Sequence, residues 1–370
     1  VGDPRSDNHS GAAIATAPDG TLHLLTGEHH RPFTHYRMPI AEGRPVWKPV
    51  EDGKAVGVVS TYPSVVCDRR ETLHLAYRHR ALPHYSIDYC RRPAGGPWSK
   101  PRSLVRASVR DHTWLTNAIE TGPEGRLHLV LSNTRPLAGG ARYYGASHVY
   151  SDDSGQTWRQ FGDTGPLQLP VEASRLKCIE GDRMDPDRTE SKATHWARPP
   201  GPLNSYYHQI LLSNLVVDAD GRPWVILHNL LNGHARLYHA RGGQWVGIPL
   251  HPAVGKLLPG LRIAHCGQLS RHNDGTLDVV LMVAPNESPG WGPKGTELVR
   301  MLISPDGRIR RTEPVCRPDP NMPHWLPSIE RWCWNAPTER PALIYTRGFN
   351  AGGYGSNRNS VNTEVRLQLP

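Results

Sequence analysis

One short pattern of apolar and polar positions recurs along the chain. A few apolar residues precede a turn centred on glycine, and a strand of alternating apolar and polar residues follows the turn. The five clearest copies are AIATAPDGTLHLLTG, SVVCDRRETLHLAYR, NAIETGPEGRLHLVLS, NLVVDADGRPWVILHN and QLSRHNDGTLDVVLMV. Asp-Gly between alternating apolar runs is the strongest short-range signal for a β-hairpin. Each copy therefore predicts two antiparallel strands joined by a tight turn.

The spacing of these turns predicts the architecture. The turn positions are Gly20, Glu71, Gly125, Gly221 and Gly275, which lie 51, 54, 96 and 54 residues apart. A period near 50 residues with several strands per period is typical of a β-propeller, and the longest interval is near twice the others. We therefore expect an all-β fold in which residues 1–370 form a single seven-bladed β-propeller domain, with about 53 residues per blade. Six blades plus a long insertion is the alternative.

Two stretches complete the repeat pattern. A weaker sixth copy runs from WLPSIERWCW to RPALIYTRG. Residues 170–200, where a further copy is due, contain CIEGDRMDPDRTESKATHWARPPGP and are predicted to form a charged loop. This loop is either a degenerate blade or an insertion, because long irregular segments are uncommon in compact folds.

One motif supports the propeller prediction. SDDSGQTW, from Ser151 to Trp158, follows the S-x-D-x-G-x-T-W pattern of the Asp box, which closes hairpins in the blades of sialidase-type propellers. The carboxylate of Asp153 can accept hydrogen bonds from backbone N–H groups of its own turn while Trp158 packs beneath it. The motif therefore indicates a structural role and carries no chemistry.

Composition and charge narrow the class of partner. Only 37% of residues are hydrophobic, and the 36 Gly and 35 Pro are typical of many short strands joined by turns. No apolar run reaches the roughly 18 residues that a membrane span needs, so no membrane partner is expected. The net charge of +9 favours a polyanion, unless it only reflects the amino-acid usage of the source. Because no Lys/Arg run or nucleic-acid-binding signature is present, we expect an acidic polysaccharide and no nucleic acid, bound by a monomer.

The cysteine pattern is compatible with a structural metal ion but does not identify its ligands. None of the six cysteines forms a C-x-x-C pair, which excludes the common zinc ribbons. Cys67 and Cys90 fit either two buried thiols or one disulfide. A structural calcium or zinc ion is compatible with the sequence, although no standard ligand spacing is present. The candidate zinc ligands are Cys178, His195 and either His208 or His228.

Polar side chains at the ends of two predicted hairpins form the candidate site. His9 precedes the first strand of the first hairpin, and His29 follows its second strand. Tyr62 and Arg78 occupy the same two places in the next hairpin. Because a hairpin brings its start and its end together, two adjacent blades would present these four side chains to one shared site. His30 competes with His29 for its role, since the doublet leaves the register ambiguous by one residue.

Further candidates flank this group. His79 and Arg80 alternate along the strand that contains Arg78, so at most one of them joins it, and Arg80 is a candidate for binding a sulfate or a second carboxylate. His112 and Asn117 lead into the third hairpin at the position equivalent to Tyr62, and His112 is a candidate substrate contact. Three other histidines recur at one strand position after each turn and are predicted to pack inside the fold. These are His23, His74 and His128.

The residues that carry this pattern resemble a known family. DNHSGAAIATAPDGTLHLLTGEHH, TYPSVVCDRRETLHLAYRHR and SHVYSDDSGQTW resemble the BNR-repeat propellers that include ulvan lyases and related uronate polysaccharide lyases, best over residues 5–160. Those enzymes are seven-bladed propellers that cleave beside a uronic acid by β-elimination. The resemblance implies that His9 and His29 are active-site histidines and that Tyr62 is the catalytic tyrosine. It also implies that Arg78 faces the substrate carboxylate.

The chemistry of these residue types fits that reaction. A carboxylate beside C5 resists a second negative charge, and a guanidinium on the carboxylate offsets it. Tyrosine, with an ordinary pKa of ~10, needs a cationic neighbour to act as a base. The resulting phenol, or an imidazolium, could then protonate the leaving oxygen, and this chemistry needs no metal or cofactor.

The resemblance therefore predicts a polysaccharide lyase that acts on an acidic, sulfated, uronate-containing, ulvan-like glycan. Such a polymer is too large to enter a cell, so we expect a secreted or periplasmic protein, although no signal peptide is visible. Two alternatives stay open: a glycoside hydrolase of sialidase type, with a tyrosine nucleophile and an arginine clamp, and a carbohydrate-binding propeller without activity.

Overall fold

The structure is a computed structural model of the chain, and it is built almost entirely of β-strands. It describes residues 11–27, 29–40, 46–50, 56–81, 84–107, 113–137, 140–181, 210–229, 234–285, 294–349 and 362–370. The helical elements in these ranges are a short 3-10 helix, Ala173–Arg175, and one α-helix, α1, His251–Leu257. No helix within the described ranges has the length and apolar character needed to cross a membrane.

The strands are short and follow one another closely. In chain order they are β1 (Ala12–Thr16), β2 (Leu22–Thr26), β3 (Arg31–Met38), β4 (Lys48–Pro49), β5 (Val56–Cys67), β6 (Leu73–Ala81), β7 (His84–Arg92), β8 (Arg102–Arg106), β9 (Thr113–Thr121), β10 (Leu127–Leu137), β11 (Gly140–Ser151), β12 (Val171–Glu172), β13 (Cys178–Gly181), β14 (Ile210–Val217), β15 (Pro223–Asn229), β16 (His234–Arg241), β17 (Gln244–Pro249), β18 (Leu261–Arg271), β19 (Leu277–Pro285), β20 (Glu297–Ile303), β21 (Ile309–Pro314), β22 (His324–Ile329), β23 (Leu343–Phe349) and β24 (Asn362–Gln368).

The chain divides into two compact units. The first consists of Val1–Ile210, Gly242–Gln244 and Cys333–Ala336. The second consists of Leu211–Arg241, Trp245–Trp332 and Pro337–Pro370.

The first unit contains two sheets. One has nine strands in the order β1-β2-β3-β5-β6-β7-β8-β12, with β4 paired to β3. Strand β3 pairs with β5, so this sheet joins the first predicted hairpin to the second. The other sheet has the order β13-β11-β10-β9. Its core includes the fully buried ring of Trp158.

The second unit repeats a simpler sheet. Two four-stranded sheets have the orders β14-β15-β16-β17 and β18-β19-β20-β21, and a third has the order β22-β23-β24. Strands β22 and β23 pair through Ile329 and Leu343, which confirms the weak sixth hairpin. The recurring antiparallel sheets confirm an all-β, propeller-like fold. The number of blades stays a prediction.

The predicted turns have the backbone geometry that their sequences require. At all five predicted positions φ is positive: 83° at Gly20, 58° at Glu71, 82° at Gly125, 74° at Gly221 and 87° at Gly275. Glycine adopts this left-handed conformation without a steric penalty, which explains why four of the five turns use it. The alternation in sequence therefore predicted these hairpins correctly.

The turn between Ser151 and Trp158 is held by its own polar side chains. The carboxylate of Asp153 accepts hydrogen bonds from Thr157 N at 2.8 Å and from Thr157 Oγ1 at 2.6 Å. The Ser151 hydroxyl accepts one from Gly155 N at 2.8 Å. These bonds satisfy backbone groups that no strand ladder reaches, so Trp158 can pack into the core below.

The histidines that follow the first three turns pack inside the fold, as predicted. His74 lies between the Tyr89 hydroxyl at 2.7 Å and the Asp68 carboxylate at 3.1 Å. The other two each contact a second histidine, His23 on His35 and His128 on His148. Cys67 and Cys90, for which the sequence left two alternatives, are separate buried thiols.

Candidate functional site

The histidine doublet and the second hairpin meet in the first unit. His29 and His30 form the turn between β2 and β3. Strand β3 then pairs with β5 through Arg31 and Ser60, which places the turn beside the middle of β5. The backbone N–H of His30 donates a hydrogen bond to Thr61 Oγ1 at 3.2 Å. The sequence therefore brings the doublet to the second hairpin through strand pairing.

A β-bulge displaces Tyr62 from the regular ladder. The register runs from Thr61 opposite Arg78 to Ser64 opposite Ala76, so two residues of β5 face one residue of β6. The second of the two is Pro63, which has no N–H to donate to a ladder. Tyr62 has a positive φ of 55°, as expected at an irregularity of this kind.

This bulge corrects one prediction. The sequence placed Tyr62 before the first strand of its hairpin and Arg78 just after the second strand. Both residues lie inside strands, Tyr62 in β5 and Arg78 in β6. The bulge lets β5 continue on both sides of Pro63, so the strands extend past the point where alternation in sequence stops.

Arg78 lies at the centre of the site. Its Nη2 lies 3.2 Å from His29 Nε2 and 3.4 Å from His30 Nε2. Its guanidinium carbon lies 4.5 Å from the centre of the Tyr62 ring and 5.6 Å from that of Tyr85. The side chain is only 7% exposed, and burial lowers the pKa of its guanidinium while Tyr62 opposes this shift. The structure thus brings together three of the four predicted catalytic residues.

The contacts of Arg78 and Arg80 limit which ring nitrogen of each histidine can accept a hydrogen bond. Guanidinium groups only donate, so His29 accepts at Nε2 and carries its proton at Nδ1. His30 Nδ1 lies 3.4 Å from Arg80 Nη1, in addition to the Nε2 contact with Arg78. A neutral imidazole accepts at one nitrogen only, so His30 accepts a hydrogen bond from one arginine at a time.

Arg80 lies on the same side of the strand as Arg78, and His79 lies on the other. His79 Nδ1 lies 2.8 Å from Asp88 Oδ2, and this hydrogen bond raises the pKa of His79. Arg80 contacts His30 instead. The alternation predicted for these residues is therefore present, and Arg80 is the one that joins Arg78.

The two arginines form an uncompensated cationic group. Neither forms an ion pair with any carboxylate in the described part of the chain. The Nε–H groups of both Arg78 and Arg80 are buried and have no acceptor there. Buried donors in folded proteins nearly always have a partner, and buried charges are usually paired. The described residues supply no carboxylate to these arginines, so this part of the site is electrostatically suited to an anionic ligand.

The third hairpin holds the bulge in place. Asn117, in β9, donates a hydrogen bond from Nδ2 to the carbonyl oxygen of Tyr62 at 3.0 Å. Two residues further on, Ile119 N donates to Ser64 Oγ at 3.0 Å. The sequence placed Asn117 with His112 at the position equivalent to Tyr62 but predicted a substrate contact for His112 alone. The sequence also did not predict that Tyr85 packs near Arg78, because nothing in its context distinguishes it from an ordinary strand residue.

Several predicted residues lie outside the described ranges. His9 and His112 are the two candidates for the site to which this applies. Two of the proposed zinc ligands, His195 and His208, also lie outside them. Within the described residues, the one group with metal-ligand spacing is in the second unit and does not include these positions.

Solved structures with this fold include enzymes that act on polysaccharides. An ulvan lyase bound to -[GlcA(1-4)Rha3S]- has a TM-score of 0.64 and 13% identity, with 99% of this chain and 80% of that chain covered. The polysaccharide lyase Uly1 has a TM-score of 0.54 and 16% identity, covering 97% and 77%. An α-L-arabinanase from Penicillium chrysogenum has a TM-score of 0.51 and 12% identity, covering 98% and 95%. At these identities the similarity demonstrates a common fold.

Sequence comparison identifies the family directly. No curated protein matches the sequence significantly. A family model described as BNR repeat-containing family member matches residues 2–251, which is more than half of the chain. The repeated hairpins are therefore those of a defined family, and the chain belongs to the BNR repeat-containing family.

Proposed function

We propose that the protein is a polysaccharide lyase that cleaves an acidic, uronate-containing glycan by β-elimination. The observation that carries this proposal is the pair of cations Arg78 and Arg80. Arg78 is buried, contacts His29 and lies over the Tyr62 ring, and the partly exposed Arg80 contacts His30. The fold shared with an ulvan lyase that was solved with an acidic oligosaccharide supports it. The substrate would be a polymer, so we propose a secreted or periplasmic location.

The first step is recognition of the uronate carboxylate. Arg78 has no carboxylate partner among the described residues, and a guanidinium can hold a carboxylate through two parallel hydrogen bonds. When the C5 proton leaves, negative charge spreads onto this carboxylate. A buried cation stabilises that charge more strongly than water does. Arg78 therefore has the position and the charge to lower the barrier of the reaction.

The second step is removal of the C5 proton by Tyr62. A base must be an anion or a neutral group with an available lone pair, and a phenolate forms more readily beside a cation. The Arg78 guanidinium lies 4.5 Å from the Tyr62 ring, which favours the phenolate. Because Tyr62 lies in the bulge, its ring does not follow the alternating side-chain directions of β5. The hydrogen bond from Asn117 holds the backbone carbonyl of Tyr62 in place.

The third step breaks the bond between C4 and the glycosidic oxygen. The electron pair of the C5–H bond forms the C4–C5 double bond, and the leaving oxygen needs a proton. The phenol of Tyr62 can return to this oxygen the proton that it has just taken from C5. Arg80, beside His30, is suited to a sulfate or a second carboxylate on the neighbouring sugar.

A glycoside hydrolase is the second candidate, because the arabinanase has a similar fold. Most such enzymes use a pair of carboxyl groups, and sialidases use a tyrosine with a partner acid. The cationic character of the described site favours elimination over that chemistry, since no carboxylate there is paired with Arg78 or Arg80.

The test measures unsaturated product from ulvan, glucuronan and related uronate polymers. We expect absorbance near ~235 nm from the C4–C5 double bond. Tyr62→Phe should keep polymer binding and lose at least ~100-fold in turnover, because loss of a general base has that effect. Tyr85→Phe is the matched control, since it removes the hydroxyl from the other ring near Arg78 and should leave turnover largely unchanged.

Two outcomes contradict the proposal. One is the release of reducing ends without unsaturation, which indicates a hydrolase. The other is tight polymer binding with no product from any uronate polymer, which indicates a carbohydrate-binding protein.

A further inference from the structure

Three side chains with metal-binding atoms meet in the second unit. Glu297 begins β20, Cys316 follows β21, and His324 begins β22. One carboxylate oxygen, the thiol sulfur and one imidazole nitrogen lie within 4.8 Å of one another. Glu297 lies 19 positions before Cys316, and His324 lies eight positions after it. The cluster forms where the start of β22 packs against the sheet that contains β20 and β21.

The cluster is held rigidly from several sides. His324 Nδ1 lies 2.9 Å from Glu297 Oε2, and Glu297 Oε1 accepts a hydrogen bond from Asp319 N at 2.7 Å. The backbone of His324 donates to Thr296 O at 2.9 Å. Both Glu297 and His324 are 3% exposed. Buried ligands with fixed rotamers are what a metal site requires before the metal binds.

One side of the cluster is open. Cys316 and His324 line a pocket of about 570 Å³, together with Tyr345. The rest of the wall consists of three arginines and a short acidic segment: Arg317, Arg347, Arg366, Pro318, Asp319 and Pro320. Solvent or a small anion can therefore reach the cluster on this side, while protein encloses it on the others.

We propose that Glu297, Cys316 and His324 bind a zinc ion whose fourth coordination position opens into this pocket. Zinc is the metal that accepts thiolate, imidazole and carboxylate together, whereas calcium and magnesium take oxygen ligands. Its bonds of about 2.0–2.3 Å place tetrahedral ligands roughly 3.3–3.8 Å apart, which the cluster reaches with shifts below about 1 Å. Zinc replaces the thiol proton of Cys316 and the proton between His324 and Glu297, and both protons pass to solvent.

The site is independent of the proposed lyase chemistry, which needs no metal. Zinc binding can therefore be measured without an activity assay, and either proposal can fail while the other stands. Three protein ligands with an open position resemble the arrangement in zinc sites that hold an exchangeable water.

The experiment compares metal binding by the full chain and its variants. Apoprotein is dialysed against zinc, and bound metal is measured by mass spectrometry. We expect Cys316→Ser to bind one zinc fewer per chain than the wild-type protein, and His324→Ala to lower the affinity at least tenfold. With cobalt in place of zinc, the wild-type protein should show a thiolate-to-cobalt charge-transfer band that Cys316→Ser lacks.

His272→Ala is the matched control. His272 Nε2 lies 3.1 Å from Asp278 Oδ2 in the same unit, so this variant also removes a buried histidine–carboxylate pair but leaves the cluster intact. It should bind zinc as the wild-type protein does.

Alkylation of the unmutated protein gives a test that does not depend on the folding of a variant. Zinc should slow the reaction of Cys316 with iodoacetamide at least tenfold, as read by peptide mass spectrometry. Equal zinc content in the wild-type protein and Cys316→Ser would overturn the proposal. So would an alkylation rate at Cys316 that zinc does not change, since Cys316 would then be an ordinary thiol.

Discussion

Tyr62 and His30 share an uncommon backbone conformation. Their φ angles are 55° and 58°, in the left-handed region that side chains other than glycine rarely adopt. Each such residue costs on the order of 1–2 kcal/mol. Hydrogen bonds from the His30 backbone to Thr61 and from Asn117 to the Tyr62 backbone keep them there. Strain of this kind clusters at functional sites, which agrees with the roles proposed for both residues.

The strain at Tyr62 predicts a difference between two substitutions that both remove the ring. Tyr62→Gly should be more stable than Tyr62→Ala by about 1 kcal/mol, because only glycine adopts the left-handed conformation without a steric penalty. Urea unfolding measures the difference. Equal stabilities, or a more stable alanine variant, would contradict the left-handed backbone at this bulge.

Some residues of the site were predictable from sequence and others were not. The sequence predicted that Tyr62 and Arg78 lie close together because both lie beyond the clear apolar alternation of one hairpin. Antiparallel pairing of β5 and β6 does bring them together, although both lie inside the strands. The bulge at Tyr62 was not found, since Pro63 reads equally well as a strand boundary. Glu297 belongs to a cluster that depends on how one sheet packs against the start of the next, and such packing leaves no local pattern in the sequence.

At the scale of strands, β10 and β11 enclose a pair of histidines. His128 Nδ1 lies 3.1 Å from His148 Nε2, and both rings are buried. Burial lowers the pKa of His148 to about 3 and that of His128 well below its ordinary value. The folded state therefore holds both rings neutral at pH values where the unfolded chain protonates them.

The buried pair of His128 and His148 predicts that the free energy of unfolding decreases as pH falls. As pH falls below about 6.5, the unfolded chain gains protons that the folded state excludes, so each ring lowers the free energy of unfolding by up to about 1.4 kcal/mol per pH unit. His148→Gln should flatten the dependence measured by urea unfolding between about pH 6.5 and about pH 4.

His79→Gln is the control with the opposite sign. Asp88 raises the pKa of His79, so this ring stabilises the fold below its unfolded pKa and loses that effect as pH rises. Its removal should abolish the gain in stability that this ring gives as pH falls towards its unfolded pKa of about 6.5, and should leave the slope between about pH 6.5 and about pH 4 unchanged. A slope that His148→Gln leaves unchanged would contradict the buried neutral pair.

The positions of the strands were largely predictable from the sequence. Which strands pair with one another was only partly predictable. The turns follow from Asp-Gly and related pairs, because the left-handed conformation at Gly20 or Gly275 is a local property. The pairing of β3 with β5, which carries His29 to Tyr62, involves two hairpins and has no signal within either.

At the scale of the molecule, a late segment completes the first unit. Asn335 Nδ2 donates to the carbonyl oxygens of Thr16 at 2.9 Å and Cys67 at 3.0 Å, at the ends of β1 and β5. The neighbouring Trp334 Nε1 donates to Thr121 O at 3.0 Å, at the end of β9. Equivalent positions of three successive hairpins are therefore capped by two adjacent residues.

Asn335→Ala should lower the free energy of unfolding by about 1–3 kcal/mol, because it leaves two carbonyl groups without their donor. Thr338→Ala is the control, since it removes only a local, exposed hydrogen bond to Arg340 O. Guanidinium or thermal unfolding of the two variants gives the comparison. The capping role is contradicted if both variants unfold at the same midpoint.

The contacts of Asn335 also determine when the first unit can finish folding during translation. The residues that they join are 319 and 268 positions apart in sequence. At ~5–20 residues per second, the nascent chain presents β1 and β5 on the order of tens of seconds before Asn335 leaves the ribosome. During that interval the carbonyl groups at the ends of β1 and β5 can hydrogen-bond to water but not to Asn335. A polypeptide released before residue 335 would therefore lack the final closure of a unit whose strands had already been synthesised.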